Sequence, residues 1–211
     1  MSEKGDLLAT RFQLNMRRIS GLTILAFSLE QAALLQSEGP QADIFRAIVV
    51  FLHATFEVLL KSQLRRPKKA KSYSGNDIDK TLQQVGIDPT PFKYLYRPLT
   101  GLAKKRHQIV HEADFVKSTD VVANQWGIVE SWLLVMWQLA VLTFYYQLRI
   151  STKMATEVER AKYNDSRQAL DNWSDIGHQF IAFAEAEPNL RKEALEKVIV
   201  SIENVHAIFK K

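Results

Sequence analysis

The stretch WLLVMWQLAVLTFYY, residues 132–146, decides the fold class. As a membrane span it falls short of the roughly 18 apolar residues that a hydrocarbon core demands, and Gln138 sits in its middle. Glu130 and Arg149 bracket it closely. It therefore reads as a core or interface helix rather than a membrane segment. The other apolar run, ISGLTILAF at residues 19–27, is shorter still, and the N-terminal MSEKGDLLATRF lacks the apolar centre of a signal peptide. The expectation is a protein without a membrane association, in the cytoplasm.

Working outward from that helix, the rest of the chain carries helical spacing and no strand alternation of useful length. Residues 6–37 place Leu22, Leu25, Leu29 and Ala33 at helical intervals and stop at SEGP. DIFRAIVVFLHATFEVLLKSQL, residues 43–64, is apolar on most faces, which predicts the central helix, with Asp43 as its N-cap. NDIDKTLQQVG, residues 76–86, predicts a short helix capped by Asn76 or Asp77 and stopped by Gly86. After DPTP, the segment 92–113 predicts a helix restarting near Pro98, because proline suits a first helical turn. Residues 114–118 end it, and Thr119 or Asp120 opens the long helix that contains the quoted stretch. Residues 152–211 predict two amphipathic helices divided near AEPN, the last with Leu195, Val198, Ile202 and Val205 on one face. The sum is an all-α bundle of six to eight helices. Residues 1–150 form the bundle, and residues 151–211 form a C-terminal extension that packs on it or builds a dimer seam.

Composition agrees. With 46% hydrophobic and 24% charged residues, 211 residues can bury a core. Scarce glycine (8) and proline (6) favour helix. Cysteine is absent, which excludes disulfides and thiolate zinc sites and fits a reducing compartment. A net charge of +5 leans towards anionic partners such as nucleic acid. Lys61, Arg65, Arg66, Lys68, Lys69 and Lys71 put six positive charges around a Pro- and Gly-containing loop, with no acid among them. Such a run is either a solvated loop or a guide for a phosphate backbone.

The chemistry concentrates in RHQIVHEAD, residues 106–114. Three readings compete. His107 and His111 have the i, i+4 spacing of two zinc ligands on one helix face, with Glu112 and Asp114 nearby. Gln108, however, stands where H-E-x-x-H needs its general base. Alternatively, the cluster is the polar end of an ordinary helix, its cations facing the negative end of the macrodipole and Ile109 and Val110 anchoring it. Third, Arg106 and His111 act together: an arginine that never titrates beside a histidine that titrates near neutrality suits RNA cleavage without metal. Five residues of regular helix separate them by roughly 140° and about 7.5 Å along the axis. They then need not converge in one chain, and a two-fold partner would bring both pairs to a common cleft. His53 reads as a core histidine, with a place beside the site as the alternative, and His178 and His206 have no partner pattern. The four tryptophans and the Tyr145–Tyr146 pair read as core or interface rather than base-stacking platforms. No Gly-rich phosphate loop, Ser-His-Asp order or paired catalytic carboxylate stands out.

The R-x4-H pattern of Arg106 to His111, with the polar His107 directly after the arginine, resembles the signature of the HEPN domains, most closely the RiboL-PSP-HEPN subgroup. The preceding helix, FLHATFEVLLKSQL, resembles the family helix that carries an acidic residue in an apolar run, with Glu57 in that place. The resemblance covers about residues 40–150. It implies a metal-independent, cofactor-free endoribonuclease that works as a homodimer, in toxin–antitoxin, phage-defence or RNA-processing systems. By carry-over, Arg106 and His111 are the catalytic pair, and His107, Glu57, Glu112 and Asp114 are supporting. The six basic residues from Lys61 to Lys71, with Lys104 and Lys105, would hold RNA. Some members of the family have lost catalysis. The alternative is accordingly an inactive HEPN-like module that binds RNA, nucleotide or a protein partner such as an antitoxin.

Overall fold

The computed structural model describes residues 3–28, 40–63, 75–111 and 126–210. These residues form an all-α fold of eight helices, with no strand among them. In chain order the helices are α1 (Glu3–Ser28), α2 (Pro40–Gln63), α3 (Gly75–Gln84), α4 (Lys93–His111), α5 (Trp126–Ser151), α6 (Glu157–Asp171), α7 (Trp173–Glu185) and α8 (Arg191–Lys210). A 3-10 turn, Thr90–Phe92, leads into α4.

The central helix is α5, not α2 as the sequence suggests. It packs against α2, α4, α6 and α7, and its side chains from Leu134 to Arg149 are all buried. By length and composition, Ser131–Ser151 could cross a membrane, but 89% of its apolar window is buried inside the fold. The window therefore supplies the core. Gln138 is accommodated there because its amide donates to Thr23 Oγ1 (2.8 Å), and the Thr23 hydroxyl donates to the Ile19 carbonyl (2.9 Å). Helix α2 is apolar on most faces because one side meets α1, α4 and α5 while part of another faces solvent.

The C-terminal helices join the same hydrophobic cluster, which runs from Phe12 to Phe209. Leu195, Val198, Ile202 and Val205 are all buried. His206 meets the Ser20 hydroxyl through Nδ1, tying α8 to α1. Trp132 stacks on Trp173 (centroids 4.8 Å apart) and donates its indole N–H to the Trp173 carbonyl (3.0 Å). Gly177 is buried against the same ring, and a Cβ there would overlap it. This aromatic clasp fixes α7 on α5.

Helix limits differ from the sequence expectation where local chemistry intervenes. The C-terminal part holds three helices, because the chain turns at Asn172 (φ −92°, ψ 9°), which ends α6 and opens α7. The polar cluster Asp171, Asn172 and Ser174 carries that signal. Helix α2 begins at Pro40, a residue suited to a first helical position, and Asp43 lies inside the first turn, paired with Arg46 (3.0 Å). Helix α3 begins at Gly75, so Asn76 and Asp77 are in its first turn. Gly86 (φ 76°) does stop it: Gly86 N–H donates to Gln83 O and Ile87 N–H to Leu82 O, a Schellman closure. Pro98 lies within α4, which starts five residues earlier. The expected boundaries at Ser37, at residues 114–118 and at Thr119 or Asp120 lie outside the described residues.

Candidate functional site: the α2–α4 face

Along α4 the core-facing positions are Leu95, Leu99 and Leu102, all buried, and the half-buried Ile109. Steps of three and four residues put position 106 on the same stripe. That position holds Arg106, which is half-buried. A guanidinium thus occupies a register that the helix otherwise gives to aliphatic side chains. Burying a charge is costly unless it is paired or hydrogen-bonded, so its surroundings matter.

Those surroundings are on α2, which packs against α4. His53, one turn before Glu57, is buried at 7% exposure. Glu57 forms an ion pair with Lys61 one turn further on (2.7 Å). Burial holds the His53 pKa below its usual 6.5; the Glu57 carboxylate pushes it up, and the positive charges of Arg106 and Lys61 push it down. His53 is therefore both a core histidine and a neighbour of Arg106. The two readings of His53 hold together, although its apolar flanks favour only the first. The detectable signal was its i, i+4 relation to Glu57 on the α2 edge that meets α4.

At the solvent end, Arg106 Nη1 donates to His111 Nε2 at 3.4 Å. The expected 140° separation is correct for the backbone, but two long side chains close it, so Arg106 and His111 meet within one chain without a partner copy. The guanidinium has only donors, so Nε2 is the acceptor in this contact. The bond is long and the His111 ring is exposed, so both groups remain accessible. His107, also exposed, lies against His111 with ring centroids 4.7 Å apart and planes at 42°. Among the described residues, no third His, Asp or Glu joins this pair in a metal-binding group. Glu112 and Asp114 lie outside the described residues. Ile109 anchors the helix as expected, whereas Val110 is 45% exposed and anchors nothing.

Of the basic residues singled out, Lys61 and Lys104 are exposed and Lys105 is half-buried. Arg65, Arg66, Lys68, Lys69 and Lys71 lie outside the described residues, in the segment that follows α2. Trp132, Trp137, Trp173, Tyr145 and Tyr146 belong to the core or pack against it. No family model, curated protein or solved structure matches this chain.

Proposed function

We propose that the chain is a HEPN-type endoribonuclease that needs no metal and acts as a cytoplasmic homodimer in a toxin–antitoxin, phage-defence or RNA-processing setting. The observation that supports this reading most is the direct hydrogen bond between Arg106 and His111 at the exposed end of α4. In the reaction the RNA 2′-hydroxyl attacks the adjacent phosphorus and the P–O5′ bond breaks. The products are a 2′,3′-cyclic phosphate and a 5′-hydroxyl. An entering phosphate draws the Arg106 donors onto its non-bridging oxygens, where charge grows in the transition state. That frees Nε2 of His111 to take the 2′-hydroxyl proton or, once protonated, to give one to the departing O5′. His107 supports the His111 ring, and Glu57 balances positive charge on the α2 side. Lys61, Lys104 and Lys105, with the basic segment 65–71, attract the backbone.

The test is cleavage of a defined RNA in excess chelator, with the ends of the products identified. The expected result is 2′,3′-cyclic phosphate and 5′-hydroxyl ends. Ends bearing a 5′-phosphate, or cleavage that stops in chelator, would overturn the mechanism. Tight RNA binding without any cleavage would instead mark the inactive module.

A further inference from the structure

Helix α4 carries a charge pattern that runs well beyond the contact between Arg106 and His111. It is the one described helix without an acidic residue, and it holds Lys93, Arg97, Lys104, Lys105 and Arg106. The whole chain has a formal charge of +5, so everything outside α4 sums to zero. The charge is also ordered in space. Lys93, Arg97, Thr100, Lys104, His107 and His111 are all exposed, at alternating steps of four and three residues. Lys93 and His111 are five regular turns apart and share one azimuth, so the six side chains fall within about 80° of arc along about 27 Å of helix. Among the described residues, none of Lys93, Arg97 and Lys104 enters an ion pair. Of the acids flanking α4, Asp88 already accepts the Thr90 N–H at 3.0 Å, and Glu112 lies outside the described residues.

We infer that this stripe is a track for the backbone of single-stranded RNA, running from Lys93 to the cleavage pair. The inference rests on the endoribonuclease reading and adds Lys93, Arg97 and Thr100 to the substrate contacts. Sign and continuity select the partner: a row of cations that ends at His111 fits a polyanion whose reacting phosphate sits there. The row is one strand wide, whereas a duplex presents two rows of phosphates. Apart from the two histidines, the stripe holds no ring on which a base could stack. Tyr94 stands about 100° round the helix from Lys93, and the Arg167 guanidinium lies over its ring, 5.3 Å from the centroid. The track therefore holds phosphates and reads no bases. A membrane surface fits less well, because Leu95, Leu99 and Leu102 are buried in the core and leave the stripe no apolar flank to enter lipid. The consequence is a length requirement. Affinity grows with the number of nucleotides on one side of the scissile bond, whatever their sequence.

The test measures binding of the full chain to a trinucleotide and a decanucleotide, both 2′-O-methylated so that neither can be cut. Thermal melts confirm that each variant folds. The wild type is expected to hold the decanucleotide more tightly than the trinucleotide. Lys93→Gln/Arg97→Gln should weaken the decanucleotide at least about tenfold at low salt and leave the trinucleotide within about twofold. Its salt slope should fall by about 1.4, roughly 0.7 for each lost phosphate contact. Arg18→Gln/Lys192→Gln removes two exposed cations from α1 and α8, the same change in net charge, and should alter neither affinity. Equal binding of the two lengths overturns the proposal. So does a decanucleotide affinity indifferent to Lys93→Gln/Arg97→Gln, which would leave the stripe to an acidic protein or to solvent. So does an equal loss in the control pair, which would mean that net charge alone attracts RNA. Because these ligands cannot be cleaved, the track and the cleavage mechanism fail separately. Length-dependent binding by a chain that cuts no RNA keeps the track and rejects the mechanism, and cleavage without length-dependent binding does the reverse.

Discussion

Two arginines of this fold sit in opposite circumstances. Arg149, near the end of α5, is buried, and its guanidinium donates twice to Glu159, Nε to Oε1 at 3.1 Å and Nη2 to Oε2 at 3.2 Å. Glu159 also closes a capping box at the start of α6, where its carboxylate accepts from Thr156 N–H (2.8 Å) and the Thr156 hydroxyl accepts from Glu159 N–H. Charge, fork geometry and helix cap are all satisfied internally. Arg106 is half-buried on the core stripe of α4, meets an imidazole nitrogen at 3.4 Å, and has an exposed histidine as its outer neighbour. The first arginine joins two helices. The second lacks so complete a complement of its own, which is the condition for stabilising charge on a ligand.

The contrast breaks most visibly at Glu159. Glu159→Gln keeps an acceptor for the cap but leaves the Arg149 charge buried and uncompensated. It should cost about 3–5 kcal/mol, a fall of roughly 10 °C in Tm measured by calorimetry. Arg106→Ala removes no such closed pair and should change stability by less than about 1 kcal/mol in the same melts. If Arg106→Ala destabilises the fold as much as Glu159→Gln, Arg106 is a structural arginine and the distinction fails.

A finer comparison uses His53 as a reporter of charge at the α2–α4 face. In an NMR titration, Arg106→Gln should raise the His53 pKa and Glu57→Gln should lower it further, because the two side chains push it in opposite directions. Equal or absent shifts would mean that Arg106 does not face α2. The same residue links stability to pH. Its folded pKa lies below the unfolded 6.5, so the unfolded chain binds the proton more readily. The contribution is present above pH 6.5 and is lost as pH falls from there towards the folded value. His53→Gln should flatten that slope. The smallest effect is expected just beyond Arg149. Lys153 holds a left-handed conformation (φ 57°) in a Schellman closure, with Lys153 N–H on Ile150 O and Met154 N–H on Arg149 O. Lys153→Gly should stabilise the α5 end by up to about 1 kcal/mol.

How much was legible beforehand follows the same division. Periodicity exposed the all-α class and the face of α8, because burial repeats every turn. It misjudged the centre: α2 is apolar on nearly every side, and the sequence does not distinguish a helix surrounded by protein from one with an apolar face left in solvent. It also took Arg149 for a flanking charge, since its partner Glu159 lies across a turn and on another helix. At the site, the i, i+5 spacing argued against contact between Arg106 and His111, for backbone geometry ignores the reach of a guanidinium. The legible clue was Arg106 itself, a cation interrupting Leu95, Leu99, Leu102 and Ile109. His53 was placed correctly in the core, but its link to Arg106 needs the packing of α2 on α4.

The most direct test of the central claim is RNA cleavage in excess chelator by wild type, Arg106→Ala, His111→Ala and the double variant. Each single change should lower the rate about 10²–10⁴-fold. The double should be little worse than either, because residues that act as one unit are not additive. Cleavage that survives in both single variants, or losses that multiply in the double, would contradict a joint role for Arg106 and His111.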